Sequence, residues 1–305
     1  QFKFFNSFID PLKYKESGID VLICDEAHRI RKTSGDRYTK KHLRTGEPQI
    51  NELIRSAKLT IFFIDEQQVV RPTEMGNVKL IKEAAEKFKA KVYEMPELKT
   101  QFRCGGSGSY LEKIEGILQI QEKGTDIEFD EETKMEFKIV NSPHKLKELI
   151  DKKNREKKNS ARLTAGFCWP WSKPNRDGSL VNDVKIGDFE MPWENKEEFW
   201  RWATDDSGMG QVGTVYTSQG FEFDYIGVVF GNDLVWNKEM NRWDAKPEKS
   251  YDNMVKRGNN EFAKHLKNVY RVLLSRAHKG VFVYFMDKDT DEYFKIQAKK
   301  LGLKV

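Results

Sequence analysis

VLICDEAH, residues 21–28, decides how this chain is read. An apolar run, Val21 to Cys24, stops at two adjacent carboxylates, Asp25 and Glu26. A buried parallel strand ends this way at a nucleotide site, apolar inside the sheet and acidic at its carboxyl edge. One carboxylate suits Mg²⁺, and the next can orient a water against a γ-phosphate. Such a strand works with a glycine-rich phosphate loop of the form GxxxxGK[ST]. That pattern occurs nowhere in the 305 residues. The expectation is an ATPase whose phosphate cradle lies upstream of residue 1, or was lost.

Further strands and helices extend outward from that stretch. LTIFFIDE (59–66) is a second apolar run ending in acid, and INELIRSAK between the two has helical spacing. Strand, crossover, strand predicts a parallel sheet and an α/β fold. NVKLIKEAAEKFKA (77–90) is amphipathic, with Val78, Ile81, Ala85 and Phe88 on one face. A short strand and Pro96 near residues 91–100 suggest a boundary, so residues 1–92 and 93–305 are expected to be separate domains. Beyond it the patterns predict helix (109–121), strand (136–142), basic helix (143–159), strand (162–169), then strand at YIGVVFG (225–231). A helix (262–279), a strand (280–287) and a closing helix follow. Residues 170–211 and 232–260 have no clean period.

Composition narrows the classes. Hydrophobic residues make up 38% and charged residues 33%, enough for cores and a well-solvated surface. No apolar run approaches the ~18–20 residues of a membrane span. Three cysteines far apart, with no CxxC, argue against a zinc site or a disulfide framework and for a reducing cytoplasm. A net charge of +5 is compatible with nucleic acid without demanding it.

Five stretches carry chemistry. Asp25, Glu26 and His28 form the first; FIDEQQVVRP (63–72) is the second. Its Gln68 amide can both donate to a phosphate oxygen and accept from a water. In TQFRCGGSGSYL (100–111), Arg103 precedes a glycine-rich helix entry. A guanidinium there can stabilise a transferring phosphoryl group, or merely make a surface salt bridge. In GTVYTSQGFEFD (213–224), hydroxyl residues lead to Gly220, as suits phosphates of a nucleotide or a strand, and Glu222 is placed to accept from a ribose hydroxyl. In YRVLLSRAHKG (270–280), Arg276 follows an apolar helical stretch, as an arginine finger or a solvated helix end would. On that placement its side chain would reach a cleft without a role in folding. The basic helix 143–159 and the tryptophans of 169–202 are read first as a solvated face and as packing.

In this order the five stretches resemble motifs II, III, IV, V and VI of superfamily-1 helicases. They are most similar to the bacterial Schlafen-group-3-like DNA/RNA helicase domain family, over about residues 3–290. The other helicase class using DEAH ends on a QRxGRxGR-type motif, and this chain has LLSRA instead. The resemblance implies a RecA-like P-loop NTPase architecture, with the back part of a first domain and a complete second one. It implies ATP and Mg²⁺ between them, and DNA or RNA as partner. Asp25 would hold Mg²⁺, Glu26 would activate water, and Gln68 would sense the γ-phosphate. Arg103 and Arg276 would be fingers, with His28, Gly220 and Glu222 on the nucleotide side. Thr217, Ser218 and Gln219 would face a strand. The departure is the absent phosphate loop, expected in an upstream half of the same protein. The rival expectations are a nucleic-acid-binding module without turnover and an ATP-driven defence or signalling switch.

Overall fold

Strand β1 (Ile19–Cys24) pairs in parallel with β2 (Ala57–Phe62), Ile23 opposite Ile61 and Cys24 opposite Phe62. The computed structural model describes residues 2–35, 39–44, 46–96, 104, 108–120 and 135–303. They fall in two compact units, Gln1–Glu97 and Leu98–Val305. In the first unit the crossover is helix α1 (Gln49–Ser56), and α2 (Val78–Lys87) follows β2, capped by the Asn77 side chain on the Leu80 amide. Cys24, Ala27, Ile30, Ile50, Leu53 and Ala84 form its core, joined by Leu22 and Phe62. The alternate residues Val21, Ile23, Leu59 and Ile61 are exposed. So β1 is buried on one face only, where the apolar run predicted burial on both. The reason is period two: Leu22, Cys24 and Phe62 pack with residues of α1 and α2, while the alternate residues Val21, Ile23, Leu59 and Ile61 face away from that core. The short strand expected near 91 is absent, for residues 91–96 have no regular structure.

The second unit begins with α3 (Gly108–Leu118), β3 (Glu136–Val140), α4 (Pro143–Glu156) and β4 (Ala161–Ala165). A hairpin, β5 (Val184–Ile186) and β6 (Phe189–Met191), and a short helix α5 (Phe199–Thr204) occupy the stretch without clean period. Then come β7 (Val212–Gly213), a single turn α6 (Val215–Ser218) and β8 (Phe223–Phe230). A second hairpin, β9 (Leu234–Asn237) and β10 (Arg242–Ala245), precedes α7 (Asn253–Lys256), α8 (Phe262–Leu274), β11 (Ala277–Phe285) and α9 (Lys288–Lys300).

Five of these strands form one wholly parallel sheet in the order β3-β11-β8-β4-β7. Every residue of β4 is buried, the mark of a strand covered on both faces. Leu146 and Ile150 of α4 pack into the core with Leu163, Val229 and Phe282. Gly227 lets α4 approach, because a Cβ there would lie 2.7 Å from Ile150. Strand β4 ends four residues earlier than its apolar run, at Gly166, where a Cβ would collide with the Tyr270 hydroxyl at 2.0 Å. The expected helix 262–279 likewise stops at Leu274, and His278 and Lys279 belong to β11. Among the described residues no helix is long and apolar enough to cross a membrane.

Candidate functional site

In the first unit the acidic pair follows directly on the carboxyl end of β1. Asp25 is exposed, and one of its oxygens accepts from the Glu26 amide at 2.9 Å. Glu26 has φ 53° and ψ 41°, the left-handed region, which is strained for a residue with a Cβ. Its carboxylate lies 3.3 Å from His28 Nε2 and 3.8 Å from Arg29 Nε. His28 is 1% exposed, so its ring packs behind Glu26 rather than reaching outward from the loop.

Backbone hydrogen bonds fasten the second acidic stretch to this loop. Ala27 donates to the Phe63 carbonyl at 2.8 Å, Met75 to Ile30 at 2.7 Å and Gly76 to His28 at 3.2 Å. Gly76 was not singled out in the sequence, yet only glycine fits, since a Cβ there would sit 1.9 Å from the Ala27 oxygen. Glu66 accepts from the first amide of α2, Val78 N–H, at 2.7 Å. Gln68 is half-buried and donates to Asp65 at 3.0 Å. Burial raises the Glu74 carboxyl above the ordinary range, against its bonds from the Val70 and Arg71 amides.

In the second unit the loop after β7 runs through α6 to Gly220 and into β8. Thr217, Ser218 and Gln219 are all buried, and both hydroxyls turn inward. Thr217 donates to Glu194 at 2.6 Å and Ser218 to the Val215 carbonyl at 3.1 Å. The expectation that these hydroxyls line a surface for phosphates does not describe this conformation. For Thr217 the cause is Glu194, a fully buried carboxyl beneath the loop, and for Ser218 it is the Val215 carbonyl. Burial lifts the Glu194 pKa from 4.5 to about 7, with the threonine hydrogen bonds pulling the other way. Gly220 is exposed, and no crowding requires a glycine there.

Arg276 links this loop to the end of α8. It is 1% exposed, its Nη1 donates to the Gln219 carbonyl at 3.2 Å, and its own carbonyl accepts from the Phe223 amide at 3.1 Å. That corrects the expectation of a side chain without a folding role: α8 ends at Leu274, so Arg276 turns into the sheet edge rather than along a helix face. Two residues on, His278 Nε2 lies 3.1 Å from the Glu222 carboxylate. Arg103 lies outside the described residues. Its neighbour Cys104 is buried with its thiol 3.8 Å from the Ser275 carbonyl, and Tyr110 of α3 donates to Leu274 at 2.9 Å. The structure therefore brings Gln219, Gly220, Glu222 and Arg276 together, and separately Asp25, Glu26 and His28.

The rest of the surface supports the modest readings of the sequence. Lys145, Lys147 and Lys153 of α4 pair with Glu148, Asp151 and Glu136, as a solvated face does. Trp169, Trp193 and Trp202 are buried packing residues, Trp171 is partly buried against the same core, and Trp200 is exposed and does not fit the packing reading. Glu194, His278 and Gly76 are the residues that sequence reasoning missed. Glu194 lies in the stretch without period, and its only signal is an acid between Trp193 and Asn195.

Two comparisons bear on these loops. The sequence is similar to the uncharacterized protein YPL245W of Saccharomyces cerevisiae (strain ATCC 204508 / S288c), with 27% identity across 96% of this chain and 68% of that protein. It also matches the family described as Schlafen group 3, DNA/RNA helicase domain, over residues 1–287, which takes in both acidic loops, the Gln219 loop and Arg276. Matched over nearly its whole length, the chain belongs to the Schlafen group 3 DNA/RNA helicase domain family.

Proposed function

We propose that this chain is part of a superfamily-1-type motor that couples ATP hydrolysis to movement on, or remodelling of, DNA or RNA. The observation that carries the reading is the strained Glu26 beside exposed Asp25 at the carboxyl end of a parallel strand. Strained residues of this kind persist where the fold over-determines them, and they gather at active sites. Glu26 accepts the proton of the attacking water, and His28 and Arg29 hold its carboxylate in place. Asp25 fits a Mg²⁺ site, for one oxygen is taken by a backbone amide and the exposed carboxylate remains open to a cation that needs only one or two carboxylates. Bound there, Mg²⁺ would neutralise charge on the phosphate oxygens. Gln68 orients toward the γ-phosphate, and Arg276, joined by Arg103, supplies the cation that charge developing on the phosphate requires. Gly220 and Glu222 serve the nucleotide, and Thr217, Ser218 and Gln219 pass its state to the strand.

The phosphate-gripping loop, in this reading, belongs to another segment of the same protein. The exposed odd face of β1 and β2 supports that, since parallel sheets are covered on both faces. The decisive experiment is ATP turnover by the full-length protein, with and without a single strand, and its loss in Glu26→Gln. Turnover untouched by Glu26→Gln sinks the reading.

A second reading has its own support. The inward hydroxyls of Thr217 and Ser218 favour an ATP-driven switch that does not travel on a strand. Strand displacement separates the two: a switch hydrolyses ATP without displacing a strand.

A further inference from the structure

Glu194 lies beneath the Thr214–Gln219 loop, outside every motif the sequence displays. Its Oε1 accepts three hydrogen bonds, from the Thr214 amide at 3.2 Å, the Thr214 hydroxyl at 3.0 Å and the Thr217 hydroxyl at 2.6 Å. Its Oε2 is buried with no hydrogen-bond partner among the described residues. The residue is itself held firmly: its amide donates to the Val212 carbonyl at 2.9 Å, and Trp193 bridges to Val212 of β7. A buried carboxylate with an unsatisfied oxygen is costly, and packing alone would favour an apolar residue. Its contribution is therefore sought in what it gathers, and what it gathers is both ends of one turn. Ser218 bonds back to Thr214, and Gln219 to Val215, each at 3.0 Å. The Thr217 and Ser218 carbonyls accept from Gly220 and Phe221, and the carbonyl after them, that of Gln219, receives Arg276.

We propose that Glu194 is the positioning residue of this loop: by holding Thr214 and Thr217 it fixes the turn Val215–Ser218 and so presents the Gln219 carbonyl to Arg276. The proposal rests on the reading above that Arg276 and the loop are functional parts. Glu194 touches neither nucleotide nor strand, and it acts through the threonines. Glutamine keeps a carbonyl where Oε1 stands and can accept the same bonds, whereas alanine cannot.

Backbone hydrogen exchange on the 305-residue chain tests this, with the amides of Ile226–Phe230 in β8 as internal control. Glu194→Ala should speed exchange at Thr214, Ser218 and Gln219 by about ten-fold or more, the scale of losing buried hydrogen bonds. Glu194→Gln should stay within about three-fold of the parent. Loop amides in Glu194→Ala that exchange as in the parent overturn the proposal, and so does a glutamine variant as fast as the alanine one. If Glu194→Ala does not fold, Thr217→Val removes one bond from the other side. Exchange should then rise at Ser218 and Gln219 with Thr214 still protected, and an unchanged loop is the refuting result. Titration of a labelled single strand separates this idea from the functional reading. A parent chain that binds no strand removes that reading, and the exchange pattern still decides Glu194. A parent that binds, with Glu194→Ala binding equally well, removes the loop's functional dependence on Glu194.

Discussion

The acidic loop of the first unit and the arginine loop of the second are held in opposite ways. Asp25 is exposed, and Glu26 sits in a strained left-handed backbone that the neighbouring chain fixes from Phe63 and Gly76. Arg276 is buried, and it bonds a carbonyl of the loop it organises. In the first loop Asp25 is open to do chemistry and Glu26 is partly so, and both contribute little to folding. In the second, folding and function are carried by the same groups. Substitutions should therefore separate activity from stability in one place and merge them in the other.

Arg276→Ala carries the largest expected effect. In the full-length protein it should lower ATP turnover by roughly 10³–10⁵, the worth of an arginine finger. It should also destabilise the second unit by about 2–4 kcal/mol, through a lost buried hydrogen bond and a cavity. Urea denaturation beside steady-state turnover on the folded protein measures both. Full stability with lost turnover would break the comparison, because Arg276 would then behave like an exposed group.

Glu26→Gln is its counterpart. Loss of a general base costs roughly 10²–10⁴ in rate. Because Glu26 is half-exposed and its partners are weak, stability should change by less than about 0.5 kcal/mol. A melting curve that falls as far as that of Arg276→Ala would show that the acidic loop is a folding element too.

This contrast also explains what could be read from the chain. Apolar runs ending in acid predicted β1 and β2, and long periodic segments predicted α2, α4, α8 and β11, because burial imposes those periods. The strand ends could not be read: β4 stops at Ala165 within an apolar run, and the glycine that follows is required by Tyr270, 105 positions from Ala165 by their numbers. The placement of Asp25 and Glu26 was legible because an apolar run that stops at two acids marks the end of a strand. Burial of Thr217 and Arg276 was not, since it depends on Glu194 and Gln219, which become neighbours only through the sheet. The hairpins of residues 184–191 and 234–245 escaped because their strands are three or four residues long, too short for a period to show.

A smaller effect sharpens the buried side of the comparison. Burial raises the Glu194 carboxyl from 4.5 to about 7, so the folded protein prefers it protonated. The sign follows from linkage. Between those values the folded state binds more protons than the unfolded one, so this group's contribution is full below about 4.5 and is lost as pH rises through about 7. Glu194→Gln does not titrate. Its stability relative to the parent should rise by on the order of 3 kcal/mol between pH 4 and pH 8, then level off. Taking the difference between the two proteins cancels the other titrating groups. A difference independent of pH would mean that the carboxylate is solvated in solution and that the loop is more open than in this structure.

The smallest effect tests the exposed side, through backbone strain alone. Glu26 has φ 53°, and a side chain in that region costs roughly 1–2 kcal/mol that glycine does not incur. Glu26→Gly removes the carboxylate with its 3.3 Å contact to His28 and its 3.8 Å contact to Arg29, and the relief of backbone strain is expected to exceed the loss of these contacts to a partly exposed carboxylate. The variant should therefore be inactive in turnover and yet more stable, by about 1 kcal/mol after the greater unfolded-state entropy of glycine is subtracted. Asn241 provides the control. It has φ 51° in the turn between β9 and β10, but asparagine tolerates the left-handed region, so Asn241→Gly should gain no more than a few tenths of a kcal/mol. Both are read by denaturant midpoints at equal slope. If Glu26→Gly gains no more than Asn241→Gly, the strain at Glu26 is not stored in the folded state, and its left-handed backbone no longer argues for a functional loop. If it gains the larger amount and turnover is gone, the acidic loop gives up stability for the placement of one carboxylate, the reverse of what Arg276 does in the second unit.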